Sequence, residues 1–316
     1  MNKSTKTQPH HKVYVTYSMS RLVLTAGVSL LVSVSVFSQL KKFYVIKESN
    51  SFDTVDFYLK ATATNCLVKQ SLEDVDPLSI YGNPDLEKIN PTFNSKITNN
   101  TCFAKLKLDE YNSSGFGDRF TFAMSRTKEN HDFWQVGFSE DKIYRLDLNY
   151  GFGNAEVDLT GSPVQKFKLK SGSADILVGY EHGYFNPVLM DTFYVKVDFG
   201  SIITRHMEMS RAKNVITKIG FGNVLLDFDS GITEACRVDA SVGAGNLEII
   251  LPREDAPVII YVRDSPLCSV KLTRDFEEVE NNIFVNSHYS VNATNLLTFD
   301  VDVALGQVKF KYVDAD

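Results

Sequence analysis

A short unit recurs along this chain and constrains its fold more than any other feature: a strand, a turn that contains glycine, and a second strand. Glycine adopts positive φ angles that other residues avoid, so it suits a tight turn. The strands alternate apolar and polar residues, as Leu247 and Ile249 do around Glu248, which is typical of a strand with one buried face. The turn glycines are Gly151, Gly153, Gly172, Gly200, Gly220, Gly222, Gly243, Gly245 and Gly306.

The spacing of these turns predicts the architecture. If Gly153, Gly172, Gly200, Gly222 and Gly245 are taken as equivalent, successive steps are 19, 28, 22 and 23 residues. The next gap, to Gly306, is 61 residues, which we interpret as about three further steps of about 20. Such steps are too irregular for a propeller and too short for helical repeats. The sequence therefore predicts an all-β solenoid, in which each unit is one coil and stacking buries a continuous apolar face.

The N-terminus has the three parts of an export signal. A positive region ends at Arg21, an apolar run covers Leu22 to Phe37, and the cleavage site lies between Ser38 and Gln39. An uncleaved membrane anchor is the alternative. We expect a signal peptide over 1–38, the first β coils with a long loop over 39–125, and the β-solenoid over 126–316. A small separate β domain is the alternative for 39–125. No membrane span is predicted after signal removal.

Charge argues against one class of partner. The chain has a net charge of −6, and its first 38 residues carry four basic residues and no acid, so the remainder has a net charge of −10. An acidic body repels nucleic acid, and we predict no nucleic-acid partner. A hydrophobic content of 43% is enough for a packed core and argues against disorder.

Four cysteines follow the export signal. An even number in an exported chain favours disulfides, and sequence order suggests the pairs Cys66–Cys102 and Cys236–Cys268. The alternative is that all four are small core residues with free thiols.

No catalytic, cofactor or metal site is predicted. The recurring Gly-x-Gly is followed by strand-like alternation, whereas a nucleotide-binding loop needs a helix there. His131, His182, His206 and His288 are scattered without the spacing of metal ligands or of a triad. Tyr180, His182, Tyr184 and Phe185 surround a glycine and form a candidate contact patch for a glycan or a protein. A packed loop is the alternative.

Several runs resemble the toast-rack family of bacterial cell-envelope proteins. They are Trp134-Gln135-Val136, Leu146 to Gly153, Val157 to Gly161, Gly220 to Asn223, Leu226 to Gly231, and Gly243-Ala244-Gly245-Asn246 with Leu251-Pro252. The resemblance covers about residues 52–272. It implies a right-handed β-solenoid in the cell envelope, with an adhesin-like or stress-response role and no catalytic residues. The chain departs from the family at Asp198, which replaces the first glycine of its turn.

These observations favour an exported cell-envelope binding or scaffold protein, adhesin-like and not an enzyme, with an envelope protein or a glycan as its partner. A carbohydrate-active enzyme on a β-helix is one alternative, because such folds host sugar-cleaving enzymes. An envelope-stress sensor module is another. The ligand and the oligomeric state are left open by the sequence.

Overall fold

A computed structural model describes residues 41–71, 76–84, 86, 89–110, 133–252, 256–263 and 265–312. The predicted export signal and its predicted cleavage site at Ser38–Gln39 lie outside this part of the chain, as does His131. The described residues form an all-β fold without an α-helix, and one four-residue 3-10 turn covers Met207–Ser210. Within these ranges no helix has the length and apolar character needed to cross a membrane.

The described ranges contain eighteen strands. They are β1 (Lys41–Ile46), β2 (Thr54–Ala63), β3 (Asn65–Gln70), β4 (Leu78–Gly82), β5 (Ile89–Thr98), β6 (Thr101–Glu110), β7 (Phe133–Phe138), β8 (Ile143–Phe152), β9 (Ala155–Asp158), β10 (Val164–Gly179), β11 (Met190–Arg205), β12 (Ala212–Asp227), β13 (Cys236–Leu251), β14 (Val258–Val262), β15 (Cys268–Lys271), β16 (Phe276–Glu280), β17 (Ile283–Asn286) and β18 (Leu297–Tyr312).

The central strands stack in parallel and in register. β10, β11, β12, β13 and β18 are each 16 residues long, and each pairs along almost its whole length with the next. β8 and β9 together pair with β10 in the same way, as do β2 and β3 with β8 and β9. We call each such strand, or pair of short strands, a coil. The coil β11, which carries Asp198, keeps this register.

Each coil changes direction at a corner. In β12 the three buried residues nearest to the corner on its N-terminal side are Val215, Thr217 and Ile219. Those after the corner are Val224 and Leu226, so the alternation of buried positions shifts from odd to even residue numbers. Both halves of every coil contribute to one continuous hydrophobic core. Within it, aligned side chains of neighbouring coils pack together, as Phe167 and Phe193 do with ring centroids 5.1 Å apart.

Glycine occupies one position of the corner in five of the coils. Five glycines there have φ between +117° and +144°, and a Cβ on any of them would lie within 2.0 Å of a carbonyl oxygen on the preceding coil. Real Cβ atoms do not approach so closely, so only glycine fits in the five coils that turn with this positive φ. These glycines are Gly153, Gly200, Gly222, Gly245 and Gly306.

Gly172 is not aligned with these five glycines, although the sequence pattern predicts that it is equivalent to them. In β10 the residue aligned with Gly200 is Ala174, and Gly172 lies instead beside Gly151. The φ angle of Ala174 is not positive, so the β10 coil turns without the positive-φ backbone conformation of the five glycine corners. The true steps are therefore 21 residues from Gly153 to Ala174 and 26 from Ala174 to Gly200, which makes the repeat more regular than the glycines alone indicate.

The 61-residue gap is not three successive coils. Gly245 is the direct neighbour of Gly306, because β13 pairs with β18 along their full lengths. The chain between them runs past this position: β14 and β15 pair with the far side of β18, and β16 and β17 form an antiparallel hairpin beside β14. β18 therefore inserts between β13 and the β14–β15 coil, out of chain order.

Antiparallel strands cover the other end of the stack. β6 pairs in parallel with β2, and β5 pairs antiparallel with β6 as a hairpin through Asn99 and Asn100, both of which have positive φ. β4 joins β1 and β7, antiparallel to both. A free strand edge would offer unpaired backbone groups to other chains. At this end of the stack, β4 and β5 pair with the edge strands and so cover those groups.

Candidate functional site

The residue between the two turn positions is exposed at the corners of β11, β12 and β18. Phe199, Phe221, Ala244 and Leu305 occupy this position in four successive coils and are aligned by the strand register. Phe199 is 56% exposed, Phe221 58% and Leu305 51%. Leu267, which precedes the aligned Cys268, extends the row by one coil. We call Phe199, Phe221, Leu305 and Leu267 the corner ladder.

The two phenylalanines of the ladder are held parallel. Their ring centroids are 5.3 Å apart and their planes differ by only 5°. The stack follows from the fold, because in-register parallel strands place equivalent side chains at the distance between strands, about 4.8 Å. A polar row borders it, in which Asn246 donates a hydrogen bond from Nδ2 to Oδ1 of Asn223 over 2.9 Å.

The contact patch predicted from the sequence is only partly at the surface. Tyr184 and Phe185 are exposed, and so is Leu189 of the same loop, which the sequence did not single out. Tyr180 is only 4% exposed and belongs to the core, because it directly follows β10 at an inward position. We call Tyr184, Phe185 and Leu189 the loop patch.

A buried asparagine holds this loop in place. Asn186 is fully buried; its Nδ2 donates to the carbonyl oxygens of Val164 (2.7 Å) and Ser210 (3.2 Å). Its Oδ1 accepts from the backbone N–H groups of Val164 and Val188, both at 3.2 Å. One side chain thus ties the loop to the coils before and after it.

A cluster of histidines and carboxylates lies at the far ends of three coils. His182, His206, Glu208 and Asp229 each place one ligand-type atom within 4.8 Å of the others. Nδ1 of His206 lies 2.9 Å from Oδ1 of Asp229, and the rings of His182 and His206 are 5.4 Å apart. We call these four residues the His–carboxylate cluster.

Two residues with left-handed backbone conformation flank the turn that carries His206 and Glu208 of this cluster. His206 has φ +48° and Arg211 φ +51°, and they bracket the 3-10 turn Met207–Ser210. Arg211 is held from Nη2 to Oε1 of Glu234 over 2.8 Å and from Nη1 to the carbonyl oxygen of Asn186 over 3.3 Å. Such conformations cost about 1–3 kcal/mol and persist only where the surroundings enforce them.

Glu208 is the unusual member of the cluster. Its side chain is completely buried, and neither carboxylate oxygen has a hydrogen-bond partner among the described residues. Oε1 lies 3.7 Å from Nδ1 of His206. Burial, with the nearby carboxylates of Asp229 and Asp227 adding to it, raises the pKa of Glu208 to about 9. A carboxyl group in this position is either protonated or balanced by a cation.

Both surfaces had a signal in the sequence that was missed. The ladder phenylalanines are the middle residues of the glycine turns, and strand register makes such residues neighbours. His182, His206 and Asp229 are 24 and 23 residues apart, within two residues of the coil steps of 26 from β10 to β11 and 22 from β11 to β12. Residues separated by about one coil step lie close together in space. The histidines were predicted to be scattered because that prediction rested on short ligand spacings alone.

The four cysteines carry free thiols. Cys102 pairs with Val55, eleven residues before Cys66 on the other side of a corner. Cys268 aligns with Gly306 and so with Gly245, nine residues after Cys236. Disulfides need Cα atoms about 4.4–6.8 Å apart, so the register does not bring the pairs suggested by sequence order together.

Comparisons with known proteins add little to this geometry. No family model matches the chain, so the resemblance to toast-rack proteins stays a prediction. No curated protein matches it either. A solved structure from Clostridium sporogenes ATCC 15579, described as a "putative cell adhesion protein", is 10% identical, with 87% of this chain and 100% of that chain covered and a TM-score of 0.45.

A second solved structure is described as a "putative adhesin" from Bacteroides fragilis NCTC 9343. It is 14% identical, with 87% of this chain and 98% of that chain covered and a TM-score of 0.29. At these TM-scores neither likeness carries an argument about the fold or the function.

Proposed function

We propose that this chain is an exported, adhesin-like binding protein of the cell envelope, built as a right-handed β-solenoid whose corner ladder is the contact surface. The observation that carries the proposal is the aligned, outward-facing pair Phe199 and Phe221, each more than half exposed. Ala244 occupies the same position in the next coil, and the exposed Leu305 follows it one coil further on. Contiguous exposed apolar groups on a soluble surface mark interaction sites.

The ladder suits a protein partner better than a glycan. Sugars bind aromatic side chains by stacking on the ring face, and in this pair each ring turns a face toward the other at 5.3 Å. The outward ring edges, together with Ala244 and Leu305 in the next two coils, are complementary to apolar side chains. Aromatic anchors dominate the energy of protein interfaces. We therefore assign an apolar protein surface of the envelope as the partner.

Binding is favoured over catalysis for this chain. A glycosidase needs two carboxyl groups that both reach the substrate. In the His–carboxylate cluster Asp229 is partly exposed, but the side chain of Glu208 is completely buried and would not touch a sugar. The carbohydrate-active alternative therefore gains no support from this pair.

Envelope fractions from cells that lack the gene provide the binding test. We expect the purified protein to bind them, to lose binding when they are pretreated with proteinase K, and to keep it after periodate oxidation of glycans. Loss after periodate alone would assign the partner as a glycan and overturn the protein assignment.

Variants then locate the surface. Phe199→Ser/Phe221→Ser should bind about tenfold more weakly or worse. Serine is compatible with this position, because Ser173 occupies it in β10. The control is Val291→Ser, since Val291 is 74% exposed and lies outside the ladder. Equal binding by both variants would contradict the proposal. If the double variant instead dissociates an oligomer in sedimentation, the partner is a second copy of the chain.

A further inference from the structure

We propose that the His–carboxylate cluster binds one divalent transition-metal ion, with Zn²⁺ as the best fit, and so links three successive coils. Its four members come from three different loops: His182 follows β10, His206 and Glu208 follow β11, and Asp229 follows β12. A whole 16-residue strand separates each of these loops from the next along the chain. An ion bound by all three loops would therefore act as a cross-link between coils. This inference is independent of the corner ladder.

The chemistry of the donors selects the metal. Two imidazoles and two carboxylates offer nitrogen and oxygen ligands, which suit Zn²⁺ and its neighbours, whereas Mg²⁺ and Ca²⁺ prefer oxygen alone. Nδ1 of His206 already lies 2.9 Å from Asp229 and 3.7 Å from Glu208. Ligand atoms around a tetrahedral Zn²⁺ are separated by about 3.4 Å, so these three groups are close to ligand spacing.

The buried carboxylate points to a cation independently of the spacing. Glu208 is 4% exposed, and its two oxygens have no hydrogen-bond partner in the described part of the chain. Native proteins rarely leave buried carboxylates in this state, because removal from water is costly without a counter-charge. A metal ion bound between Glu208, His206 and Asp229 supplies that counter-charge.

His182 completes the site by a small movement. The widest separation among the donor atoms is 4.8 Å, somewhat more than a tetrahedral ion allows. His182 is exposed, and the adjacent Gly183 has φ +84° with open space for 4 Å around the position that a Cβ would take, so the loop has room to adjust. The other members lie in packed or tethered positions. His182 is therefore the ligand that closes on the ion.

Metal binding to the purified, chelator-treated protein tests the proposal. We expect one Zn²⁺ per chain, a visible absorption band typical of tetrahedral Co²⁺ when cobalt replaces zinc, and a rise in Tm of about 5–10 °C at a hundredfold excess over Kd. Mg²⁺ and Ca²⁺ should leave the Tm unchanged. Absence of a Zn²⁺-dependent shift in Tm, together with no measurable binding, would overturn the proposal.

Variants assign the ligands. His182→Ala changes an exposed side chain and should keep the metal-free Tm while it lowers Zn²⁺ affinity at least tenfold. His288→Ala is the matched control, because His288 is also an exposed histidine and lies outside the cluster. Glu208→Gln preserves the shape of the buried side chain and should also weaken Zn²⁺ binding. Equal Zn²⁺ affinity in His182→Ala and His288→Ala would contradict the assignment.

Discussion

Phe199 and Phe221 stack face to face across neighbouring coils, 5.3 Å apart, while more than half of each side chain remains exposed. The relationship is a direct product of the backbone, since β11 and β12 pair in register through the corner. An exposed aromatic pair is thereby displayed without any dedicated loop. Changes to the corner glycines should therefore disturb the fold, whereas changes to the two phenylalanines should disturb the contact surface.

Gly245→Ala should strongly destabilise the protein. Gly245 has φ +144°, and an added Cβ would lie 1.7 Å from the carbonyl oxygen of Gly222. We expect the free energy of unfolding to fall by about 2–4 kcal/mol, measured by urea denaturation. The control is Gly231→Ala, where no atom lies within 4 Å and φ is not positive; it should change stability by less than about 1 kcal/mol. Similar effects of both substitutions would contradict the close stacking of the corners.

Asn186→Ala should cost about 2–3 kcal/mol of stability. The substitution removes the side-chain partner of the backbone N–H of Val188 and of the carbonyl oxygen of Ser210, and unmet buried polar groups are costly. We also expect faster proteolysis of the loop that carries Tyr184. Asn292→Ala, at an exposed asparagine, is the control and should leave both properties unchanged. Unchanged proteolysis in Asn186→Ala would show that the asparagine does not hold the loop.

Tyr180 and Tyr184 should behave oppositely although they are neighbours in the sequence. Tyr180 is buried, so Tyr180→Ala creates a cavity and should cost about 3–5 kcal/mol of stability. Tyr184 is 58% exposed, so Tyr184→Ala should change stability by less than about 0.5 kcal/mol. Thermal unfolding of the two variants compares them directly. A large loss of stability in Tyr184→Ala would show that the loop patch is packed and not free.

The buried thiols should make the protein sensitive to alkali. Burial raises the pKa of Cys66 and of Cys236 to about 12, from the ordinary value of 9.0. Because the folded-state pKa lies above the unfolded one, the folded protein retains the proton, and stability present below pH 9 is lost as the pH rises from about 9 to 12.

Urea denaturation as a function of pH checks this effect. Cys66→Ala/Cys236→Ala should show a smaller loss of stability between pH 8 and about pH 10 than the unchanged protein. A thiol reagent at pH 8 should modify Cys268, which is partly exposed, before the three buried cysteines. Rapid modification of Cys66 in the folded protein, or an identical pH dependence in the double variant, would contradict the burial of these thiols.

The strands and turns could be predicted from local sequence patterns, whereas the order in which the strands pair could not. Alternation around Glu248 and the glycine turns predicts the strands of an all-β fold correctly, because period-2 burial and positive φ are local properties. The insertion of β18 between β13 and β14 is a non-local pairing that no local pattern encodes. The equivalence of Ala174 with Gly200 was hidden because alanine lacks the turn signature.

The candidate surfaces follow the same division. Phe199 and Phe221 are visible in the sequence as the middle residues of two turns, but their exposure depends on the outward direction of the corner. His182, His206 and Asp229 meet only because a coil step returns the chain to the same place. Spacing rules for metal ligands cover ligands within one turn or one helix and do not include such a step. The cluster can therefore be recognised only once the pairing register of the strands is known.

Hydroxyl-radical footprinting of the protein, free and bound to envelope fractions, tests the central claim most directly. Phe199 and Phe221 are exposed in the free protein and should be oxidised readily, as should Val291 outside the ladder. On binding, we predict that oxidation of Phe199 and Phe221 falls severalfold while that of Val291 is unchanged. Binding that leaves the oxidation of both phenylalanines at the level of the free protein would contradict the assignment of the corner ladder as the contact surface.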